Sequence, residues 1–550
     1  MRQQAWNLLP PAPPEFLEGE GLPPLLLQVL YNRALRDRAC WEAFLRGDER
    51  LSHDPFLLPD MDIAVQRLRQ AIQKGETVGI YGDYDTDGIT STVLLVQGLE
   101  ALGARTLPYI PTRLQGHGLY SPALEGLFQQ GASLVITVDT GSSGHAEVAE
   151  ARKRGQDIII TDHHVCSPVL PAALAVVNPK RPDSLYPFCD LAGVGVAYKV
   201  LQALAGDATT YLDLVALGTV SDVAPLIGEN RNLVKGGLRL LNTAHRPGIR
   251  EMLRSSGLQM VDAESIAWVL GPRINAAARL DHPLVSYNLL VTTSDEEACR
   301  LADELEMRNA ERQKLTDEAL VWAREQAAAQ AGSPFLLVQS RDVPLGVAGL
   351  VASRLVDEFC RPAVVMKVGP ETSSGSGRSI SEFNLIAALQ ENEGLLLRYG
   401  GHPRAAGFTM RNEGIPCLQE RLLEKAGREL AGLDLRPQIT IDAPISLAES
   451  NSQFLQFLPR LAPFGCGNPN PVFLCQRVKV AGARRVGEKS DHLRLQLRAG
   501  PATWDAIAFD CGGEAQKLSP YLDVVCSFNT NFWGGRKTLE LEVLDFRPAE

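Results

Sequence analysis

Thr77-Val78-Gly79-Ile80-Tyr81-Gly82-Asp83-Tyr84-Asp85-Thr86-Asp87-Gly88 decides the fold. An apolar strand, Thr77–Tyr81, runs into three carboxylates at alternate positions with a glycine on each side, and a helix is predicted at Ser91–Leu102. The pattern then repeats. A strand at Ser133–Val138 ends directly in Asp139-Thr140-Gly141 before a helix at His145–Arg154. A third strand, Asp157–Ile160, delivers Thr161-Asp162-His163-His164. Apolar strands separated by helices of about 10–12 residues predict βαβ units and a parallel sheet, hence an α/β fold.

In such a sheet the carboxyl ends of the strands share one edge, where ligands bind. An apolar helix-like run, Tyr211–Val220, presents Ser221-Asp222 as a further candidate. Six carboxylates in one crevice would repel one another, and desolvation costs several kcal/mol each. Divalent metal relieves that cost. Oxygen ligands with one or two imidazoles suit Mn²⁺ or Mg²⁺ better than zinc. Two such ions about 3.5–4 Å apart would clamp the attacking and leaving oxygens of a phosphoryl group. The pattern predicts a metal-dependent hydrolase. Taken singly, each Asp also reads as a helix N-cap. Asp-x-Asp-x-Asp-Gly also resembles half a calcium loop, although Leu94 stands where that loop needs Glu.

Working outward, 1–60 reads as an N-terminal extension with a helix at Leu25–Arg38, and 61–293 as the acid-bearing domain. Residues 294–332 read as one connecting helix, from the capping box at Ser294 to the stop at Gly332. Unbroken it spans roughly 55 Å, too long for one small core; a break near Asn309 is the alternative. Residues 333–435 make a second α/β unit, with strands at Phe335–Gln339 and Ala363–Lys367 and a helix at Leu350–Phe359. The texture of 436–550 changes to short strands with Gly and Pro turns, suggesting a small all-β barrel or sandwich.

Composition sets limits. The chain has 550 residues, 45% hydrophobic and 22% charged, with a net charge of −11. That balance excludes a protein coating polyanions over its whole surface; it permits a local basic groove. No apolar run nears the ~18 residues of a membrane span. Pro10, Pro11, Pro13 and Pro14 interrupt any signal-like core. The ten cysteines contain no Cys-x-x-Cys pair, which predicts reduced thiols in a cytoplasm.

Two features suggest a phosphate-bearing substrate. Arg113 follows Ile110-Pro111 at the crevice edge, with His117 nearby. Arg378 lies beside Ser373-Ser374-Gly375-Ser376-Gly377, read as a loop before a helix from Ser381. Such a loop can cradle a phosphate with backbone N–H groups, or simply be flexible surface. Further on, Arg477, Lys479, Arg484, Arg485, Lys489 and Arg494 form a basic stripe. Phe528, Phe532 and Trp533 follow, either as stacking platforms for a single strand or as core aromatics.

The acid constellation with Asp162-His163-His164 resembles the DHH phosphoesterase superfamily. Asp54-Pro55-Phe56-Leu57-Leu58-Pro59-Asp60-Met61, Arg273–Arg279, Ser376–Ser379 and Gly400–Gly407 are similar to its bacterial RecJ exonucleases, in the same order. The resemblance covers nearly the whole chain. It implies a 5′-to-3′ exonuclease that cuts single-stranded DNA to mononucleotides with Mn²⁺ or Mg²⁺, in repair and recombination, with a C-terminal OB-fold. Carried over, Asp85, Asp87, Asp139, His163 and Asp222 would hold metal, and Asp83, Asp162 and His164 would support or contact the reacting phosphate. Arg113, Ser376 and Arg378 would hold a 5′-terminal phosphate, and Arg279 would touch the backbone near the scissile bond. His117, Arg273, Asn275, Ser379 and His402 complete the expected substrate contacts. Single-strand-binding protein and a RecQ-type helicase are the partners implied, the chain acting as a monomer. Many relatives carry Trp-His where Val343-Pro344 precede Leu345-Gly346-Val347 here, so no substrate contact is carried over from that loop, and the metal cluster is untouched. The rivals are a DHH enzyme for short oligonucleotides or cyclic dinucleotides and, more remotely, a non-catalytic replication scaffold.

Overall fold

The computed structural model describes residues 4–18, 21–243, 245–447, 452–533 and 536–549; the side chains of 452–453 and 530–538 are not among those described. The chain divides into two units, residues 52–435 and residues 1–51 with 436–550.

In the first unit a five-stranded sheet carries the acids. Its order is Arg105–Tyr109, Thr77–Tyr81, Ala132–Val138, Asp157–Thr161, Ala175–Val177, all neighbours parallel. The two outermost strands escape sequence patterning. One carries Pro108 and is half-exposed, as an edge strand allows; the other is three residues long. The chain leaves Thr77–Tyr81 toward one edge and Ala132–Val138 toward the other. The sheet therefore has a switch point between these two neighbours, where the following loops diverge and leave a crevice. The helix after Thr77–Tyr81 begins at Thr86, earlier than its apolar pattern, because Asp85 caps it.

The long helix is continuous, Asp295–Ala329, about 52 Å at 1.5 Å per residue. Ala298, Leu301, Ala302 and Leu305 belong to the core of the first sheet, whereas Ala319, Leu320, Ala323 and Ala327 belong to the next lobe. One helix thus serves two cores, with no break at Asn309. The second lobe is a mixed five-stranded sheet, ordered Leu396–His402, Ala405–Arg411, Thr372–Arg378, Ala363–Val368, Leu336–Ser340.

Here one expectation is corrected. Residues 373–377 are not a loop: Thr372–Arg378 is a strand paired on both sides, and the following helix starts at Leu385, not Ser381. Packing overrides propensity. A Cβ on Gly375 would lie 2.4 Å from the Phe408 ring and one on Gly377 2.6 Å from Leu385, so only glycine admits these apolar side chains.

The second unit revises the N-terminal expectation. A six-stranded sheet, ordered Ala443–Pro444, Phe473–Val486, His492–Ala499, Ala502–Ala508, Arg536–Pro548, Tyr521–Trp533, closes through Phe473–Val486 pairing with Tyr521–Trp533. Leu26, Val29, Trp41 and Phe44 share its core with Phe473, Leu495 and Val524. Residues 1–51 are thus part of the barrel unit rather than a separate extension. The expected helix Leu25–Arg38 is two, Pro24–Asn32 and Arg38–Arg46, the second capped by Asp37 accepting from Cys40 N. Phe528 is buried in the barrel core, so its aromatic ring is a packing group rather than a stacking platform. The Phe532 and Trp533 side chains lie outside the described residues. Among the described residues no helix is long and apolar enough to cross a membrane.

Candidate active site

The crevice at the switch point gathers the acids. Asp85 Oδ1 accepts from Asp87 N at 3.0 Å and Gly88 N at 3.1 Å, so it is indeed a helix cap. Asp87, one turn in, accepts from Gly193 N at 2.7 Å and Val194 N at 2.9 Å, the amino end of helix Gly193–Ala205. Asp139 adopts φ +60°, a left-handed conformation that costs on the order of 1 kcal/mol and recurs at functional sites. A Cβ on Gly193 would lie 2.6 Å from Asp139 Oδ1, and one on Gly218 2.7 Å from Asp87 Oδ1. Two glycines therefore make room for two carboxylates.

His163 stands at the centre. Its Nε2 lies 3.1 Å from Asp139 Oδ1, 3.8 Å from Asp222 Oδ2 and 3.9 Å from Asp87 Oδ2. The ring also bonds the Leu191 backbone, while Nε2 makes no hydrogen bond; the bond must therefore leave from Nδ1. Asp83 Oδ1 and Asp139 Oδ1 are likewise buried without a hydrogen-bond partner. Such atoms are costly unless something positive satisfies them. Ligand atoms of Asp87, His163 and Asp222, and separately of Asp83, Asp85 and Asp139, lie within 4.8 Å of one another. Burial, then mutual repulsion, raises Asp85, Asp87, Asp139 and Asp222, the last to about 7. Burial pushes His163 down to about 3, leaving a neutral imidazole. A neutral imidazole amid oxygen donors with unpaired lone pairs fits a divalent cation of the Mn²⁺ or Mg²⁺ kind.

Asp162 is different. It accepts from Ser142 N, His163 N, His164 N and His164 Nδ1 at 2.8–3.1 Å. Burial opposes its charge, but His164 and these donors hold it well below the usual carboxylate range. It is a spent acceptor that fixes the His163–His164 turn. In return, and against burial, Asp162 raises His164 to about 9. The His402 ring stacks on His164, centroids 5.9 Å apart and planes 9° apart, bringing the hairpin of the second lobe to the crevice.

Beside the acids is a cluster of arginines. Arg113 lies over the Tyr84 ring at 5.3 Å. Arg279 donates to Gly346 O at 3.1 Å and Arg378 to Gly377 O at 2.9 Å, neutral carbonyls in both cases. Burial and then Arg113 lower both, Arg279 to about 9. Among the described residues none of the three has an ion-pair partner. Mutually repelling cations without carboxylates suit an anion. Ser376 belongs with them: a Cβ on Gly349 would lie 2.9 Å from its Oγ and 3.0 Å from Arg378 Nη2.

Other expected contacts are tied into the fold. Arg273 pairs with both Glu306 oxygens, at 2.6 and 3.2 Å, and donates to Val269 O. Ser379 is buried and donates to Phe383 O at 2.7 Å. Asn275 accepts from Thr86 N at 3.0 Å and so steadies the acid loop. His117 bonds Asp83 Oδ2 through Nδ1 at 2.7 Å. The sequence reading missed Tyr84, Arg398, Gly193-Val194 and Asn178. Asn178 donates to His164 O at 2.9 Å and Ser142 Oγ at 3.0 Å; nothing in its local sequence marks it.

A sheet with this switch point and acid edge defines the DHH class, and residues 77–219 match the DHH family, N-terminal domain, while 441–545 match the RecJ OB domain. The chain is 36% identical to the single-stranded-DNA-specific exonuclease RecJ of Bacillus subtilis over 96% of its own length and 68% of that relative. It is 33% identical to the Escherichia coli RecJ, with 96% of each covered. The crystal structure of RecJ from Thermus thermophilus in complex with Mn²⁺ superposes with a TM-score of 0.86 at 32% identity, over 99% of this chain and 80% of that one. The chain belongs to the RecJ family.

Proposed function

We propose that this chain is an exonuclease specific for single-stranded DNA, working 5′ to 3′ in the cytoplasm and releasing mononucleotides. The observation that carries the reading is the juxtaposition of buried, unpaired carboxylates with arginines that lack acidic partners. Asp85, Asp87, Asp139, His163 and Asp222 would hold Mn²⁺ or Mg²⁺, with Asp83 beside them. Bound in a pair, such ions supply charge stabilisation for the phosphoryl group and a nucleophile at neutral pH.

The chain's own residues do the rest. Arg113, Ser376 and Arg378 grip the terminal phosphate through charge-assisted hydrogen bonds, and Arg279 reaches the backbone near the scissile bond. Protonated His164, held by Asp162 and faced by His402, offers a cation to the phosphoryl oxygens. The separation of the arginine and acid clusters then sets which bond is cut, one nucleotide from the end. The exposed Arg477, Lys479, Arg484, Arg485 and Lys489 on the barrel would track the strand. Single-strand-binding protein and a RecQ-type helicase are its partners on the family resemblance.

The test is single-stranded DNA labelled at either end, digested with Mn²⁺. Progressive loss from the 5′ end, arrested by EDTA and absent on blunt duplex, is expected. Shortening from the 3′ end, or equal rates on duplex, would overturn the reading.

A further inference from the structure

Tyr84 and His117 join the acid crevice to the arginine cluster. His117 Nδ1 is hydrogen-bonded to Asp83 Oδ2, and its Nε2 shares a short hydrogen bond with the Tyr84 hydroxyl. One neutral tautomer satisfies both bonds. The Tyr84 ring, only 3% exposed, then presents its face to the Arg113 guanidinium. An unbroken line runs from an acid of the crevice to an arginine of the phosphate cluster. Its middle member is itself anchored. Gly116 and Gly118 flank His117 with φ +82° and +105°, and Arg398 of the second lobe donates to His117 O at 3.3 Å. The left-handed backbone at Gly116 strains any side chain there, and a Cβ would lie 2.4 Å from that Arg398 nitrogen, which would have to move aside.

We propose that Tyr84 and His117 are positioning residues for strand-end choice: they hold Arg113 at a fixed place relative to Asp83, so that 5′-phosphorylated ends are processed in preference to 5′-hydroxyl ends. The proposal rests on the terminal-phosphate role given to Arg113. An arginine side chain has many rotamers, and stacking on a buried, hydrogen-bonded ring pre-organises it. The ring is held by its burial and by its hydroxyl, tied through the exposed His117 to a buried carboxylate. Misplacing a binding group by about 1 Å can cost ~10²-fold.

The experiment measures kcat and KM on single strands with 5′-phosphate and with 5′-hydroxyl ends, for the wild type, Arg113→Ala, Tyr84→Leu, His117→Ala and Tyr84→Phe. Mn²⁺ affinity is measured by calorimetry alongside. Tyr84→Leu and His117→Ala are expected to lower the preference for phosphorylated ends by ~10- to 100-fold, through KM, with Mn²⁺ affinity kept. Tyr84→Phe, which keeps the ring and is the least risk to folding, should lower it by a smaller factor. A wild type indifferent to the terminal phosphate would overturn both the Arg113 assignment and this inference. Loss of preference in Arg113→Ala with full preference in Tyr84→Phe and His117→Ala would overturn the inference alone. So would lost Mn²⁺ affinity in these variants, since the effect would then belong to the acid cluster.

Discussion

Two buried charge clusters in the same unit follow opposite rules. Lys199 on helix Gly193–Ala205 and Glu229 on helix Gly228–Leu241 are 1% and 0% exposed. Glu229 Oε1 accepts from Lys199 Nζ at 2.8 Å and His53 N at 3.1 Å, and Oε2 from the Tyr186 hydroxyl at 2.5 Å. Lys199 also donates to His53 O. Opposite charges meet and the carboxylate is satisfied. In the acid crevice like charges meet, and Asp83 Oδ1, Asp139 Oδ1 and His163 Nε2 find no hydrogen bond. A protein that can bury a charge with full satisfaction at one place has not failed to do so at the other. The first cluster serves stability; the second stores unfavourable energy that a cation would release.

Asp139→Asn separates the two most sharply. Asn tolerates the left-handed backbone, so the fold should survive. If Asp139 holds metal as proposed, losing it should cost several kcal/mol of transition-state stabilisation and lower the cleavage rate on the order of 10³-fold. Metal-free stability should hold or rise, because an amide removes one repelling charge and can donate to its neighbours. Urea unfolding with EDTA present checks this, and marked destabilisation would break the comparison. Glu229→Ala should do the reverse. Stripping one partner from a buried pair costs about 3–5 kcal/mol, read as a lower midpoint in the same experiment. Per folded molecule its cleavage rate should stay near that of the wild type.

Protons sharpen the contrast. Asp85, Asp87, Asp139 and Asp222 are raised in the folded state, so each binds protons more tightly folded than unfolded. In metal-free protein each therefore contributes stability at low pH that is lost as pH rises from about 4 through the folded value, near 7 for Asp222. His163, lowered to about 3, runs the other way between that value and about 6.5, one group against four. Metal competes with those protons. The rise in melting temperature on adding Mn²⁺ should grow as pH climbs through the value near 7 of Asp222 and shrink steadily toward pH 5. A pH-independent rise would mean that the ion binds elsewhere.

The crevice was legible in sequence because its signal is topological. Acids directly after apolar strands must share an edge once the sheet is parallel, whatever the side-chain detail. The supports were not legible. Gly193 N reaches Asp87 across 106 positions and Asn178 reaches His164 across 14, through bonds that no local pattern announces. Arg273 and Ser379 matched a motif yet are spent on the fold, Arg273 paired with Glu306 and Ser379 buried against Phe383 O, because residue type alone does not say which partner a side chain will meet. The Ser/Gly strand Thr372–Arg378 was misread for a physical reason: its glycines are chosen by Phe408 and Leu385 packing over them, not by turn chemistry. The N-terminal helices were misassigned because their partners, such as Phe473 and Val524, lie more than four hundred residues away.

The smallest effect expected concerns exposed charge, where burial decides nothing. Arg484 and Arg485 are exposed on the barrel strand, whereas Arg494, opposite Arg484, is half-buried and 3.6 Å from Glu540. If the first two meet strand phosphates, replacing each by Ala should flatten the dependence of log affinity on log salt by about 0.7. Binding should weaken only a few-fold, and cleavage of a bound end should be unchanged. Arg494→Ala should barely alter the slope, its charge being already met by Glu540. Fluorescence anisotropy on a long single strand across a salt series reads both. A wild-type slope in the double variant would remove Arg484 and Arg485 from the strand path and leave barrel binding to other residues. The deletion that isolates the barrel must also respect its core: residues 52–435 should fold, whereas removing 436–550 alone leaves Leu26, Trp41 and Phe44 without the core they share. That truncation is expected to aggregate, and its failure to cleave would then say nothing about the strand path.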